Sequence, residues 1–222
     1  MGVKAGPKIS KDGLVILVDA ENTRRYSGTG FTIYGLVGGI GGTLINGASF
    51  GSTNVKYFIF DGTNDYINFG TLQANTSTTC TVGCWVKTTT TSQCMTVTFS
   101  AYGSIYINRF NTSGKILAFF DGTTGNNTSA DISDGSINDG NWHHISATNN
   151  GSICSMYIDG ILNKTYSETP SYSISIYNQI SGQADGNNMM NGSISYAFVY
   201  NRALTAQEIL QNYNATKRRY GL

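Results

Sequence analysis

Short segments in which apolar and polar residues alternate, separated by turn residues, recur along most of this chain. Clear examples span residues 79–87, 153–158 and 161–166. Alternation with a period of two places the apolar side chains on one face of a β-strand. The dipeptide Asp159-Gly160 joins the last two segments and predicts a tight hairpin turn. Because no helical pattern separates the segments, βαβ units are excluded and the sequence predicts antiparallel sheets packed as a sandwich.

The helical pattern of the chain lies near its C-terminus. Thr205 and Glu208 match a capping box, in which the threonine hydroxyl accepts from a backbone amide and the glutamate reaches back to the cap. Apolar residues at helical spacing follow, so a helix is predicted at about 205–217. Residues 14–222 are therefore predicted to form one all-β domain, an antiparallel two-sheet jelly-roll sandwich with one short C-terminal helix. Residues 1–13 are interpreted as a polar lead that tethers the domain to another protein.

The charge composition limits the kinds of partner. Charged residues make up 12% of the chain, and the formal net charge is +1. Nucleic-acid binding relies on a positively charged surface, and a membrane-spanning helix needs about 20 consecutive apolar residues. The sequence has neither feature, so we expect neither nucleic-acid binding nor membrane insertion.

The cysteine spacing argues against a zinc site. No two of the four cysteines are separated by two residues, and the histidine pair at 143–144 lies far from Cys80 and Cys84. These two cysteines share one face of a predicted strand with Val82 and Val86. Buried free thiols are therefore predicted.

Six short motifs occur in a fixed order between residues 55 and 213. They occupy residues 60–67, 83–87, 139–145, 156–160, 192–195 and 200–209. In order and spacing they resemble the motifs of laminin G-like, concanavalin A-like lectin jelly-roll domains. Each motif is weak alone, but six in order are specific. The resemblance therefore implies a sandwich of concanavalin A-like type.

The two ends of the chain resemble a narrower group of proteins. Residues 13–30 and 209–217 are similar to parts of tailed-phage structural proteins that contain this domain, notably those of marine phages. This resemblance implies a location on the virion surface, as a capsid decoration, a head fibre or a tail appendage. It also implies other virion proteins (capsid or fibre subunits) as partners, a homo-oligomeric assembly, and adhesion to host-surface glycans.

Glycoside hydrolases occur in the same superfamily, and their chemistry needs two suitably spaced carboxyl groups. The glutamates of the chain are Glu21, Glu168 and Glu208. Only Glu21 has another carboxyl group two residues away, that of Asp19, and both precede the matched region. His143 and His144 have no obvious carboxylate partner and are interpreted as packing residues. We therefore expect no enzymatic activity; a free carbohydrate-binding module is the alternative, and a glycoside hydrolase is disfavoured.

An oxygen-rich turn contains Asp61, Asn64 and Asp65. Calcium prefers about six to eight oxygen ligands with several carboxylates, and domains of the resembled family often hold calcium on loops. The turn is therefore a candidate calcium site, and no other cofactor is expected. The same residues also suit an Asx turn that stabilises only the backbone, so both interpretations stay open.

Three tyrosines are candidates for glycan binding, because sugars bind on exposed aromatic faces beside amide and hydroxyl groups. They are Tyr102, Tyr172 and Tyr177, each with asparagine or serine residues nearby. The same tyrosines also suit ordinary strand or interface positions.

The last predicted strand is rich in aromatic residues. Its alternating large residues are Ile194, Tyr196, Phe198 and Tyr200. Tyr196 and Phe198 occupy positions that hold charges in the resembled family. A strand that exchanges charges for aromatic residues is typical of a covered or contacting face. We interpret these four residues as a contact with another subunit or the capsid; the alternative is that the terminal helix covers them.

Overall fold

A computed structural model describes residues 8–22, 24, 29–37, 39–71, 78–99, 102–120, 131–170, 178–182 and 186–222. These ranges contain fifteen strands and one α-helix. The strands are β1 (Leu14–Asp19), β2 (Thr32–Tyr34), β3 (Gly41–Ile45), β4 (Ser49–Ser52), β5 (Lys56–Asp61), β6 (Tyr66–Asn68), β7 (Cys80–Lys87), β8 (Cys94–Phe99), β9 (Gly103–Ile107), β10 (Ile116–Phe119), β11 (Trp142–Asn149), β12 (Ile153–Ile158), β13 (Ile161–Ser167), β14 (Asn178–Ile180) and β15 (Asn191–Tyr200). The helix is α1 (Ala206–Thr216), and a 3₁₀ turn, Lys217–Tyr220, follows it.

Two antiparallel sheets form a sandwich. Sheet A has the order β13-β12-β11-β7-β15-β5-β4, with β1 paired to the second half of β15. Sheet B has the order β10-β9-β8-β14-β6-β3-β2. The predicted hairpin joins β12 to β13, and Asp159 and Gly160 both have positive φ, as a two-residue hairpin turn of type I′ requires. The predicted fold class, an all-β sandwich with one short C-terminal helix, is confirmed.

The apolar inner faces of the two sheets pack against each other. Sheet A contributes Val82 and Cys84, and sheet B contributes Ile67, Val97 and Ile105, all fully buried. These residues alternate with outward-facing ones along each strand, which is why the period-two pattern predicted the core. All four cysteines are free and buried, which agrees with the prediction made for Cys80 and Cys84.

A bulge at Ser195 divides β15 into two parts whose side-chain alternation is opposite. The pairing of β15 with β7 shifts between Ile194 and Tyr196. Ile194 therefore points into the inner core. The aromatic residues beyond the bulge lie on the outer face of sheet A: Tyr196, Phe198 and Tyr200. The prediction that all four residues share one face is wrong, because the alternation does not continue through a bulge.

The C-terminal segment of the chain itself covers the outer face of sheet A. Trp85, at the centre of this face, is fully buried, and its Nε1 donates to Thr216 Oγ1 at 2.8 Å. Tyr196, Phe198 and Tyr200 are each at most 4% exposed. They contact the chain's own segments and present no surface to another subunit. The alternative interpretation of this strand, cover by the terminal helix, is what the structure shows.

Helix α1 begins with the predicted capping box. Thr205 Oγ1 accepts from Glu208 N at 3.2 Å, and Glu208 Oε2 accepts from Thr205 N at 2.9 Å. The end of the N-terminal lead packs beside this helix, since Ser10 N donates to Asn212 Oδ1 at 2.8 Å and Tyr200 Oη donates to Ser10 O at 2.8 Å. Residues 8–12 therefore lie on the sheet A side of the sandwich. Among the described residues, no helix is long and apolar enough to cross a membrane.

Candidate functional site

The outer face of sheet B presents a row of hydroxyl and amide side chains that crosses six neighbouring strands. From β9 to β2, the paired residues are Ser104, Thr98, Gln179, Asn68, Thr43 and Thr32. Residues directly opposite each other in antiparallel strands point to the same face. They alternate with core residues such as Ile33, Leu44 and Ile67, so the row faces away from the inner core.

The two halves of this row differ in exposure. Thr98 and Gln179 are buried, and Gln179 Nε2 donates to Ser181 O at 3.0 Å. Thr32, Thr43 and Asn68 are exposed. The open part of the face, which we call the open face, therefore consists of the outward residues of β2, β3 and β6.

Tyr34 borders the open face on β2. Its side chain is 52% exposed. A Cβ built on Gly41 would lie 3.8 Å from Tyr34 Cε1, so the ring lies across the neighbouring strand at a position without a side chain. Tyr34 therefore offers an accessible aromatic surface beside the row of hydroxyl groups.

Tyr66, half-buried on β6, borders the opposite corner of the open face. Tyr34 pairs with Gly41 and Tyr66 pairs with Ile45, which places Thr43 midway between the two tyrosines. From ~4.8 Å between strands and ~3.4 Å per residue along them, the two tyrosine Cα atoms lie about 17 Å apart. This span is longer than a single sugar ring and matches a short oligosaccharide.

The polar groups of the open face have free hydrogen-bonding capacity. Asn68 Oδ1 accepts from Gly70 N at 2.8 Å, which leaves its Nδ2 to donate outward. Within the described part of the chain, the hydroxyls of Thr32 and Thr43 make no hydrogen bond. Such groups can donate to or accept from hydroxyls of a ligand, and tyrosine rings supply apolar contact area. The open face is therefore suited to an uncharged ligand rich in hydroxyl groups.

The sequence prediction of glycan-binding residues did not find this face. Tyr102 is half-buried and packs against the inner core, and burial raises the pKa of its phenol. Tyr102 therefore contributes to packing, and its part in glycan binding stays a prediction. Tyr172 and Tyr177 lie outside the described residues.

A signal for the open face was nevertheless present in the sequence. In Thr32-Ile33-Tyr34 and Tyr66-Ile67-Asn68, hydroxyl, amide and aromatic residues flank one isoleucine. The isoleucine marks the core side, and its neighbours mark the opposite face. The pattern could not show that this face is left uncovered, because cover depends on distant segments.

The turn proposed to bind calcium connects β5 to β6. Asp61 Oδ1 accepts from Thr63 N at 2.7 Å, which is an Asx turn. Asp65 Oδ2 accepts from Asp61 N at 3.1 Å, whereas Asp65 Oδ1 is buried without a hydrogen-bond partner. Burial and the nearby charge of Asp61 raise the pKa of Asp65, and the hydrogen bond from Asp61 N opposes this rise. A bound cation would offset the electrostatic repulsion between the adjacent carboxylates of Asp61 and Asp65.

Asn64, the third residue of the predicted calcium site, lies in the same turn. Its backbone oxygen accepts from Asn46 Nδ2 at 3.1 Å, which fixes the turn against the loop after β3. In the described ranges, no group of three or more histidine, cysteine, aspartate or glutamate residues could hold a metal ion. The Asx turn is therefore present, and calcium binding by Asp61, Asn64 and Asp65 stays a prediction.

His143 lies between two carboxylates, so the expectation that it has no carboxylate partner is wrong. Its Nδ1 is 2.8 Å from Asp159 Oδ2, and its Nε2 is 3.2 Å from Asp139 Oδ1. The hydrogen bond with Asp159 is the main cause that raises the pKa of His143. The β12–β13 turn brings Asp159 to this position from a distant part of the sequence. His144 is fully buried among aromatic rings, as expected for a packing residue, and burial lowers its pKa to about 4.

Each glutamate makes contacts that hold the fold. Glu21 and Glu168 accept from backbone amides at 2.7 and 2.9 Å. Glu208 caps α1 and pairs with Arg202, and this pairing lowers the pKa of Glu208 to about 2. A carboxyl group with a lowered pKa is ionised at neutral pH and does not suit the role of a general acid.

A two-sheet jelly-roll sandwich is an architecture found in lectin domains and in viral capsid proteins. The chain belongs to the concanavalin A-like lectin/glucanases superfamily, whose laminin G profile matches residues 61–210. A comparison with curated protein sequences finds no match.

Solved structures of low sequence identity share the fold. Trypanosoma rangeli sialidase in complex with sialic acid is 13% identical, with a TM-score of 0.63 over 95% of this chain and 34% of that protein. The botulinum neurotoxin serotype D binding domain is 13% identical, with a TM-score of 0.68 over 92% of this chain and 52% of that one. The receptor binding domain of the C/D mosaic serotype is 12% identical, with a TM-score of 0.68 over 92% of this chain and 51% of that one. This chain spans a third to a half of these proteins, so the similarity shows the fold alone.

Proposed function

We propose that this chain is a non-catalytic module that binds glycans through the open face of sheet B. The observation that supports this most directly is the exposed Tyr34 ring beside the hydroxyl and amide groups of Thr32, Thr43 and Asn68. These residues lie on three adjacent paired strands, so their spacing is fixed before a ligand arrives. A rigid, preformed site loses little conformational freedom on binding. The absence of catalysis is part of the proposal, in keeping with the structural contacts of the glutamates.

We further propose that the module belongs to the surface of a phage virion, as a capsid decoration, head fibre or tail appendage that adheres to host-surface glycans. The similarity of residues 13–30 and 209–217 to phage structural proteins motivates this part. Residues 8–12 pack beside α1 on the sheet A side, opposite to the open face. Attachment of the lead to other virion proteins would therefore direct the open face outward.

Glycan binding is tested by titrating neutral oligosaccharides, chosen from a glycan array, into the wild type and Tyr34→Ala. Loss of the ring should weaken binding about fivefold to tenfold, because aromatic contact contributes on the order of 1 kcal/mol. Leu162→Ala is the matched control, since Leu162 is 51% exposed on β13 of sheet A. No binding to any glycan, or equal weakening by both variants, contradicts the proposal.

The virion location is tested by imaging phage particles that contain this protein. Density for the chain should lie on the particle surface, with sheet A towards the particle and sheet B towards solvent. The virion location is contradicted if sheet B lies against the shell, or if no density for the chain is found on the outside of the particle. A free carbohydrate-binding module is then the alternative.

A further inference from the structure

Among the described residues, none supplies an anionic partner for the positive charge of Arg109 on the outer face of sheet B. It follows β9, which with β10 forms the margin of the sheet opposite to Tyr34 on β2. Within the described residues its guanidinium makes no ion pair and no hydrogen bond, and its Nε is buried without a partner. Buried donors that lack acceptors destabilise the protein, so the side chain is held there at a cost.

Three aromatic rings surround the Arg109 guanidinium. Its central carbon lies 5.2 Å from the ring centroid of Tyr106, 5.1 Å from that of Phe110 and 5.9 Å from that of Phe119. Tyr106 and Phe119 belong to a separate buried cluster on this outer face. Cation–π contacts fix the position of the guanidinium without neutralising its charge. The terminal nitrogens remain able to donate hydrogen bonds.

The segment that presents this arginine has a strained backbone. Phe110 has a φ of 57°, which is a rare conformation for a bulky residue, and Asn108 and Asn111 on either side are also left-handed. Asn108 is buried, and its Nδ2 donates to Thr90 O at 3.0 Å and Ser92 O at 2.8 Å. These bonds hold the turn in place. Phe110 stays 38% exposed beside the guanidinium.

We infer that Arg109, Phe110 and Ser104 form a second binding site, which accepts the carboxylate of an acidic sugar. The terminal guanidinium nitrogens donate to the carboxylate oxygens, a pairing for which the planar fork of arginine is suited. The exposed Phe110 ring contacts the apolar side of the sugar. Ser104, paired with Phe119 on the same face, offers a hydroxyl that makes no hydrogen bond among the described residues.

This inference rests on the proposed glycan binding and names a ligand class for it. The outward residues of the open face carry no charge, so that face alone cannot separate acidic from neutral glycans. An acidic peptide also presents carboxylates. The combination of an aromatic ring, a hydroxyl and an arginine fits a ring-shaped ligand with hydroxyl groups better than an extended peptide.

The test is a calorimetric titration with a short oligogalacturonate and with its fully methyl-esterified form, which has the same length but no charge. The wild type should bind the acid about tenfold more tightly, as expected for a charged hydrogen-bonded pair. Arg109→Gln should remove this preference and leave binding of the ester unchanged. Arg109→Lys, which keeps the cation over the rings, should retain only part of it. Added salt should weaken the acid preference in the wild type.

Arg218→Gln is the matched control, because Arg218 is an exposed arginine in the turn after α1 and its loss changes the net charge equally. It should keep the acid preference. Equal binding of acid and ester by the wild type overturns this inference but leaves glycan binding intact. Absence of binding to both also overturns this inference, and the proposed function falls with it only when no sugar of the glycan array binds either. Competition by an acidic peptide at the same concentration as the oligogalacturonate overturns the assignment to a sugar.

Discussion

Tyr220 stacks on Trp85, with ring centroids 3.9 Å apart and ring planes inclined by 20°. Trp85 lies on β7 in the middle of sheet A, whereas Tyr220 closes the 3₁₀ turn after α1. Trp142 contributes a third ring, 5.2 Å from that of Tyr220. The C-terminal turn is therefore an integral part of the outer layer of sheet A, which explains why this sheet has no accessible central face.

Replacing Tyr220 with alanine should lower the free energy of unfolding by roughly 2 to 3 kcal/mol, because a large ring packed on Trp85 is lost and the cavity opens to water. Urea denaturation followed by tryptophan fluorescence measures this change. Leu222→Ala is the control, since Leu222 is 53% exposed, and it should change stability by less than about 0.5 kcal/mol. Equal effects of the two variants would show that the stacking contributes nothing.

His144 should make the protein sensitive to mild acid. Burial lowers its folded-state pKa to about 4, and the charge of Asp159 opposes this only in part. The unfolded chain takes up a proton near pH ~6.5, so the stability present above that pH is lost progressively as the pH falls towards 4. The loss amounts to roughly 3 kcal/mol, from ~1.4 kcal/mol per pH unit.

His144→Phe tests this sensitivity. Both ring nitrogens of His144 are buried without hydrogen-bond partners, so an apolar ring should be tolerated at neutral pH or should stabilise by about 1 kcal/mol. Unfolding free energies measured from pH 7 to pH 4 should fall less steeply in this variant. His143→Gln is the comparison: because the pKa of His143 is raised, its contribution is complete below about pH 6.5 and is lost at higher pH. A parallel decline of wild type and His144→Phe would contradict the assignment.

Calcium should stabilise the protein through Asp65. A free calcium concentration of a hundred times the dissociation constant is expected to raise the melting temperature by roughly 5–10 °C, relative to the melting temperature measured in chelator. In Asp65→Asn this rise should disappear, whereas stability in chelator should stay equal or increase, because the buried carboxylate has a raised pKa and is disfavoured when ionised.

Asp134→Asn serves as the control for calcium, since the Asp134 side chain is 77% exposed, and it should retain the full response. Identical melting temperatures of the wild type in calcium and in chelator would contradict calcium binding. The turn at Asp61 would then have a structural role alone.

The cysteine thiols should be inert in the folded protein. Burial raises the pKa values of Cys84 and Cys94 to about 12 and also raises that of Cys154, so the reactive thiolate is scarce as well as shielded. A thiol reagent should label none of them under native conditions and all four cysteines in denaturant. Rapid native labelling, or fewer than four reactive thiols after denaturation, would disprove buried free cysteines.

Local patterns in the sequence were enough to predict several strands, among them β7, β12 and β13, together with the hairpin at Asp159-Gly160 and the capping box of Thr205 and Glu208. Each depends on residues within a few positions of one another, so local backbone preferences and side-chain periodicity specify it. The inner core followed for the same reason, since alternation identifies which side chains of a strand are buried. The order of the six motifs indicated the fold type by resemblance, and the family match over residues 61–210 agrees with it.

Tertiary structure alone decided which faces are covered. The bulge at Ser195 moved Ile194 to the core, and the C-terminal turn buried Tyr196 and Phe198, because cover is supplied by segments distant in sequence. The same long-range packing brought Asp159 to His143 and left Tyr34 exposed. Periodicity determines that a strand has two faces, but only the packing of the whole chain determines which outer face remains open to a ligand.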